Sequence, residues 1–274
     1  MGAVTLRLRA PPAVPLEAPC VRPDHFAGLA EAEIARLPVW HGNEPRALGD
    51  VFDVRGGRAD DVRVEGDVAR VKHLGAGMAG GRLVVEGDAG MHAGAEMTGG
   101  TLRIEGAAGE WAGAEMRGGV LEVRGRAGAH AGGAYAGSRW GMAGGVLVVH
   151  GDAGAFLGLR MRRGTIAVAG GAGEYLGAEM IAGSILVFGD VGRRPGAGLK
   201  RGSIVVHGAV EPLPTYRYAC TYRPPHLALY LRELRERHAL PIEERFLNGA
   251  YRRYNGDFAE LARGEILAWT NHSA

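Results

Sequence analysis

Residues 78–96 read MAGGRLVVEGDAGMHAGAE, residues 97–115 read MTGGTLRIEGAAGEWAGAE, and residues 116–134 read MRGGVLEVRGRAGAHAGGA. Laid beneath one another, the three lines share a leading Met, an aliphatic pair two residues apart and a GxxGxxxG tail. The pattern M-x-x-G-x-L-x-V-x-G-x-x-G-x-x-x-G restarts at Met78, Met97, Met116, Met142, Met161, Met180 and Lys200, with spacings of 19, 19, 26, 19, 19 and 20 residues. The long spacing is one repeat plus a seven-residue insertion within Gly133 to Gly141 (GAYAGSRWG). Measured back from the Gly that ends each strand, eight aliphatic pairs recur, from Val62/Val64 and Leu83/Val85 to Ile185/Val187 and Ile204/Val206. Alternation of period two is the mark of a strand with one buried face.

The repeat also accounts for the composition. Forty-seven of the 274 residues are Gly, more than twice the usual ~7%. Thirty-eight of them fall between residues 62 and 208, where Pro195 is the sole proline. A disordered Gly/Pro linker would mix the two, and no G-X-Y triplet supports collagen. Nineteen residues are too few for the crossover helix of a βαβ unit, yet they suffice for one coil of short strands and tight corners stacked about 4.8 Å apart. The expected fold is therefore all-β. It is a parallel β-helix solenoid of about eight 19-residue coils, right-handed on the general rule for parallel crossovers, with helical N- and C-terminal flanks.

The flanks read as caps. Residues 1–57 form an N-terminal cap of strand, helix and lead-in strand; residues 58–210 are the Gly-rich β-helix; residues 211–274 are a C-terminal linker and helical arm. Within the first cap, MGAVTLRLRAPP alternates like a strand, residues 24–37 suggest one helix with Asp24 as N-cap and Pro38 as its stop, and Phe52/Val54 imitate the aliphatic pair. In the arm, residues 226–238 and a second stretch from about 242 to 268 carry apolar residues at helical spacing. The outward strand positions are charged in the earlier coils (Arg103, Glu105, Glu122, Arg124) and apolar later (Val148, Ala167, Ala169, Leu186, Phe188, Val205). A face that turns apolar needs a cover, and the C-terminal arm or a partner subunit is expected to supply it.

Charge and cysteines exclude several classes of function. Thirty-two Lys plus Arg against 30 Asp plus Glu leave a formal +2, which is not the basic balance of a nucleic-acid binder. No segment reaches ~18 uninterrupted apolar residues, so no membrane span is expected. Cys20 and Cys220 lack metal-ligand spacing and are expected as free thiols in the cytoplasm.

No catalytic constellation stands out. The GxxGxxxG copies never open a helix, and no nucleophile elbow, Walker loop or HExxH occurs. His92 and His130 fall in the middle of the three residues between two Gly, where other repeats carry Trp111, Phe156, Tyr175 and Arg194. That pattern points to planar side chains stacked between coils, not to a metal site, and none is expected. His150 and His207 fall on the outward strand face, as surface or interface residues. Glu96, Glu115 and Glu179 each precede a repeat-starting Met and are expected to bind corner amides or an Arg. Arg160, Arg162, Arg163, Arg193, Arg194, Lys200 and Arg201 form a basic set, read as contacts to a partner or to a polyacidic ligand.

These residues carry a family resemblance. The repeat alone resembles the C-terminal β-helix domain of the glutamate synthase large subunit. With LPVWHGN (Leu37 to Asn43), LGDVFDVRG (Leu48 to Gly56), KHLGAGM (Lys72 to Met78) and SRWGMAGG (Ser138 to Gly145), the chain more closely resembles the C subunit of formylmethanofuran dehydrogenase. It also resembles the bacterial relative of that protein, the C subunit of the formyltransferase/hydrolase complex. The resemblance implies a non-catalytic scaffold in one-carbon metabolism. Its partners would be a formyltransferase subunit, a metal-dependent amidohydrolase-like subunit and a further subunit, in a hetero-oligomer with neither nucleic acid nor membrane. Those partners would move a formyl group between tetrahydromethanopterin and methanofuran or methylofuran and release formate, so the furan carrier and metal ions belong to the complex. Arg outnumbers Lys 30 to 2, which favours a GC-rich methylotroph and the hydrolase complex. The alternatives are the C subunit of a molybdenum or tungsten formylmethanofuran dehydrogenase and a glutamate-synthase-like module.

Overall fold

The computed structural model describes residues 3–271. Residues 1–2 of the expected N-terminal cap and 272–274 of the expected arm lie outside that range. The N-terminal part holds β1 (Val4–Leu8), β2 (Leu16–Glu17), α1 (Pro23–Phe26), α2 (Glu31–Ala35), β3 (Pro38–His41), β4 (Glu44–Ala47), α3 (Leu48–Val51) and β5 (Phe52–Arg55). The repeats supply β6 (Asp61–Glu65), β7 (Val71–Lys72), β8 (Arg82–Glu86), β9 (Thr101–Ile104), β10 (Arg117–Val123), β11 (Ala143–Val149), β12 (Arg163–Val168), β13 (Ser184–Val187) and β14 (Arg201–Val206). The C-terminal part holds β15 (Arg217–Tyr222), α4 (Pro225–His238), α5 (Glu244–Leu247), β16 (Ala250–Gly256) and β17 (Arg263–Thr270).

The protein is mostly β. Thirteen strands make one sheet, in the order β15-β16-β17-β14-β13-β12-β11-β10-β9-β8-β6-β1-β5, and β4-β3-β2-β7 make a second. From β6 to β14 every pairing in the large sheet is parallel, and the aliphatic pairs fall into register: Val62 faces Leu83, Leu83 faces Leu102, and the column continues through Leu121, Leu147, Ile166 and Ile185 to Ile204. All of these side chains are buried, as are the repeat methionines. A second line of contact joins the repeats away from the sheet, through parallel bridges from Ala89 to Ala108, Ala127, Ala153, Ala172 and Val191. The glycines permit this stacking. A Cβ on Gly109 would lie 2.7 Å from the Met91 amide nitrogen, so the backbones approach too closely for any side chain there.

Four sequence expectations need correction. First, the last repeat begins at Leu199, not Lys200. Ser184 faces Ser203, an offset of 203 − 184 = 19, and buried Leu199 takes the methionine place. Second, residues 24–37 form two short helices, not one. Pro23 at the start of α1 sets the helix entrance, with Arg22 at the N-cap position, and the chain breaks at Gly28 before α2. Third, Phe52/Val54 do not lead into the repeats. They lie on β5, antiparallel to β1, and β1 is the strand that pairs with β6. Fourth, helix α4 lies where expected, but of residues 242–268 only Glu244–Leu247 is helical. The rest is the antiparallel hairpin β16–β17, and Ile266 of β17 extends the core column by pairing with Ile204. The arm is a mixed element, because the i, i+4 spacing of Leu247 and Tyr251 coincides with strand alternation that only non-local pairing reveals.

The arm covers the apolar strand face, as expected. Val148, Ala167, Leu186 and Val205 pack in one cluster with Leu227, Leu231 and Leu234 of α4, Phe246 and Leu247 of α5, Tyr251 and Leu267. His207 is buried in this seam. Its ring stacks on Phe188 at 4.4 Å, Nε2 lies 3.0 Å from the Tyr251 hydroxyl, and Nδ1 lies 3.2 Å from the Val187 carbonyl oxygen. Burial pulls its pKa down to about 4. Where the strand face is charged, α4 ends on it: His238 Nδ1 lies 2.9 Å from Glu122 Oε1. That hydrogen bond holds the Glu122 carboxyl below its usual range, against the opposing effect of burial.

Candidate functional site

The middle residue between the last two Gly of each tail takes φ near +60° (His92, Trp111, His130, Phe156, Tyr175 and Arg194), as does His73 at the equivalent place, where Val71 stands for the first Gly. The left-handed backbone aims each side chain along the same corner, and the repeat spacing brings the rings to stacking distance. His73 stacks on His92 at 4.6 Å, and Trp111 on His130 at 4.1 Å. Phe156 lies 4.9 Å from both His130 and Tyr175, and the Arg194 guanidinium closes the column over Tyr175. Between His92 and Trp111 the column is bridged by Tyr135 of the insertion, whose hydroxyl lies 2.9 Å from His92 Nδ1. Burial lowers the pKa of His73, His92 and His130 and raises the Tyr135 hydroxyl to about 12. Neutral rings stack, so this is the side-chain ladder the sequence suggests. A cavity of about 440 Å³ opens beside it, lined by Pro19, His73, Ala76, His92, Glu96 and Tyr135.

A second left-handed column holds Glu96, Glu115, Arg160 and Glu179. Glu115 Oε1 accepts the Tyr135 amide at 3.1 Å, and Arg160 Nε donates to Glu179 at 2.8 Å. These are the amide and arginine partners expected for Glu115 and Glu179, whereas the Glu96 side chain borders the cavity beside the ladder.

The seven basic residues divide between two corners. Arg193 and Arg194 lie at the ladder corner, Arg193 3.9 Å from Glu174 and Arg194 bonded to the Tyr175 hydroxyl. Arg162, Arg163, Lys200 and Arg201 follow the buried Met or Leu of their repeats at the other corner, where the Arg162 and Lys200 amides bond to the carbonyls of Met142 and Met180. Lys200 lies 3.9 Å from Glu260, and Arg201 stands in register with Arg263. Arg160 is tied inward, with Nη1 donating to the Ser138 carbonyl at 3.0 Å. The sequence reading missed Trp140 and Arg139 of the insertion and Arg117 on the same corner. The Arg162 guanidinium lies 4.0 Å above the half-exposed Trp140 ring, and that of Arg139 at 5.4 Å. A break in an otherwise strict period was the signal that marked the place.

Among the described residues, no group of three or more His, Cys, Asp and Glu is arranged to hold a metal ion. The two cysteines are free, Cys20 buried and Cys220 exposed. The fold and site together define a β-rich repeat protein with a stacked side-chain ladder at one corner and exposed Arg and Trp side chains at another. Comparison with known proteins narrows that class. No family model matches the chain. Over 80 residues, 28% of the chain, it is 44% identical to the C subunit of the molybdenum-containing formylmethanofuran dehydrogenase 1 of Methanothermobacter marburgensis, over 20% of that protein. Over 86 residues, 31% of the chain, it is 38% identical to the C subunit of the formyltransferase/hydrolase complex Fhc of Methylorubrum extorquens, over 32% of that protein. The matched stretches thus span a fifth to about a third of these curated relatives. The structural likeness is longer. A chain of the crystal structure of the formyltransferase/hydrolase complex FhcABCD from Methylorubrum extorquens, solved with methylofuran, matches at TM-score 0.90 and 36% identity, covering 97% of this chain and 100% of that one. The protein belongs to the family formed by the C subunits of the formyltransferase/hydrolase complex and of formylmethanofuran dehydrogenase.

Proposed function

We propose that the chain is a non-catalytic scaffold subunit of a formyltransferase/hydrolase complex. The complex moves a formyl group between tetrahydromethanopterin and a methanofuran-type carrier and releases formate. The observation that carries this reading is the likeness to a chain of the FhcABCD complex along its whole length. By sequence the two groups match over similar stretches, 96 residues in the C subunit of the tungsten-containing dehydrogenase 2 of Methanothermobacter thermautotrophicus and 86 in that of Fhc, so the preference for the hydrolase complex rests on the structural likeness alone. The chemistry of the chain supports the same view: the ladder histidines His73, His92 and His130 are stacked, Glu115 and Glu179 are engaged, and, among the described residues, Arg117, Arg139, Arg162 and Arg163 are exposed without a carboxylate partner. The chain itself holds no cofactor in this reading. A formyltransferase, an amidohydrolase-like subunit and one further subunit do the chemistry in the cytoplasm. Among the described residues, no helix is long and apolar enough to cross a membrane.

The repeats act in this reading as a right-handed parallel β-helix over residues 58–210, capped by 1–57 and closed by 211–274. Arg162, Arg163, Lys200 and Arg201 contact partner subunits or an acidic ligand, whereas Arg160, Arg193 and Arg194 stiffen the corners. Native mass spectrometry of the untagged assembly from its own cell tests the proposal. Companion subunits of formyltransferase and amidohydrolase type are expected. A lone monomer, or formyl transfer catalysed by the isolated chain, would overturn it.

A further inference from the structure

The insertion presents two faces. On one, Tyr135 fills the ladder; on the other, Ser138, Arg139 and Trp140 stand on the basic corner. The loop is pinned before any partner arrives, by the Arg160 bond to the Ser138 carbonyl and by the Gly141 amide donating to the Arg160 carbonyl at 2.9 Å. Trp140 is 40% exposed. Arg162 lies across its ring face, with the guanidinium carbon 4.0 Å from the ring centre, and the side chain is exposed. The neighbouring carboxylates are already engaged, Glu115 by the Tyr135 amide and Glu179 by Arg160. Among the described residues, none of Arg117, Arg139, Arg162 and Arg163 has a carboxylate partner, and all four are exposed. Glu115, Arg117, Ser138, Arg139 and Trp140 together border a shallow cavity of about 120 Å³.

We infer that this corner docks a carboxylate-rich segment of a companion subunit, with Trp140 as the apolar anchor and Arg117, Arg139, Arg162 and Arg163 as the carboxylate contacts. The inference rests on the reading of the chain as a subunit. A rigid Trp ringed by Arg is the composition of an interface anchor, and a guanidinium held on a ring binds a carboxylate through two N–H groups with little further loss of freedom. Charge complementarity selects the partner: the corner carries four unpaired positive charges on a chain whose net charge is only +2. Nucleic acid fits less well, because the chain as a whole carries a formal charge of only +2, without the basic excess that a phosphate backbone selects.

The test places p-benzoylphenylalanine at Trp140 in the whole assembly purified from its own cell, followed by irradiation and peptide mapping. One companion subunit is expected to cross-link, through a segment with several Asp or Glu. A second measurement does not depend on the replaced ring. The Arg139→Ala/Arg162→Ala double variant is expected to hold that subunit about tenfold more weakly near 0.15 M salt, and the loss should shrink as salt rises. An intact assembly with no cross-link, a cross-link to nucleic acid or to a segment poor in acids, or unchanged affinity of the double variant overturns this inference and leaves the subunit reading standing. Wild-type protein that co-purifies with no companion overturns both.

Discussion

Acidification should loosen the seam between the arm and the strand face through His207. The ring is buried, and its pKa falls from 6.5 to about 4 because a charged imidazolium there loses its hydration. A base with a lowered folded-state pKa favours folding while it stays neutral. Its contribution is therefore complete above pH 6.5, the value in the unfolded chain, and is lost progressively as the pH falls from 6.5 towards 4. At about 1.4 kcal/mol per pH unit the full loss is about 3 kcal/mol, of which about 2 kcal/mol is gone by pH 5. The same direction holds for His73, His92, His130 and His150, all lowered chiefly by burial, so wild-type stability alone does not isolate the site. The comparison needed is with His207→Gln, which keeps an amide near Val187 and Tyr251 and removes the titration. Urea midpoints of both proteins, followed by near-ultraviolet circular dichroism from pH 7.5 to 4.5, supply it. The variant should be the less stable at pH 7.5, and the gap should close by about 2 kcal/mol at pH 5. A gap that stays constant to within about 0.5 kcal/mol would refute the assignment of this titration to the buried ring.

Leu231 of α4 is fully buried in the arm cluster, so Leu231→Ala should cost about 2–5 kcal/mol. Hydrogen exchange should show the loss first in α4 and on the face of β12 and β13, and unchanged protection there would count against the arm as their cover. Gly109→Ala drives a Cβ to 2.7 Å from the Met91 nitrogen and should lower stability by about 1–3 kcal/mol in thermal unfolding. Gly80→Ala meets nothing within 4 Å, so it should be neutral to within about 0.5 kcal/mol; equal losses at both positions would remove the close-approach explanation. Glu122→Gln weakens the bond to His238. Because Glu122 is held below its usual range, that stabilisation is present above the unfolded carboxylate pKa of about 4.5 and disappears as pH falls further. The variant should therefore be less stable than wild type at pH 7 and approach it below pH 4.

The repeat was readable because its signal is local and periodic. Each aliphatic pair sits at a fixed distance from its Gly, and a constant offset converts sequence period into cross-strand register, so Leu83, Leu102 and Leu121 align from the sequence alone. The ladder was readable for the same reason, since His130 and Phe156 are equivalent places in successive repeats. Reading failed where a partner is distant in sequence. Nothing in VTLRL shows that β1 inserts between β5 and β6, and nothing in AYRRYNG shows that it pairs with residues 263–270. The shift from Leu199 to Lys200 arose because an apolar Leu replaced the Met that marked every earlier repeat. Trp140 escaped because an insertion has no counterpart against which its residues can be judged, and its contact with Arg162 closes only when the loop folds back.

Two columns of left-handed residues then explain how the corners divide their work. A non-Gly residue near φ +60° costs on the order of 1–2 kcal/mol, and Gly would remove the cost. The chain nevertheless places His, Trp, Phe, Tyr and Arg in one column and Glu and Arg in the other. In the first, each ring recovers the strain by stacking on the next; in the second, Glu115 and Arg160 recover it by bonds to Tyr135, Ser138 and Glu179. Both columns therefore stiffen the repeats, and both meet at the insertion, through Tyr135 on one side and Arg160 on the other. The element that breaks the period is thus tied to it at both columns. Such anchoring holds Trp140 and its guanidinium neighbours in place before contact, which limits the ordering cost a partner must overcome on docking.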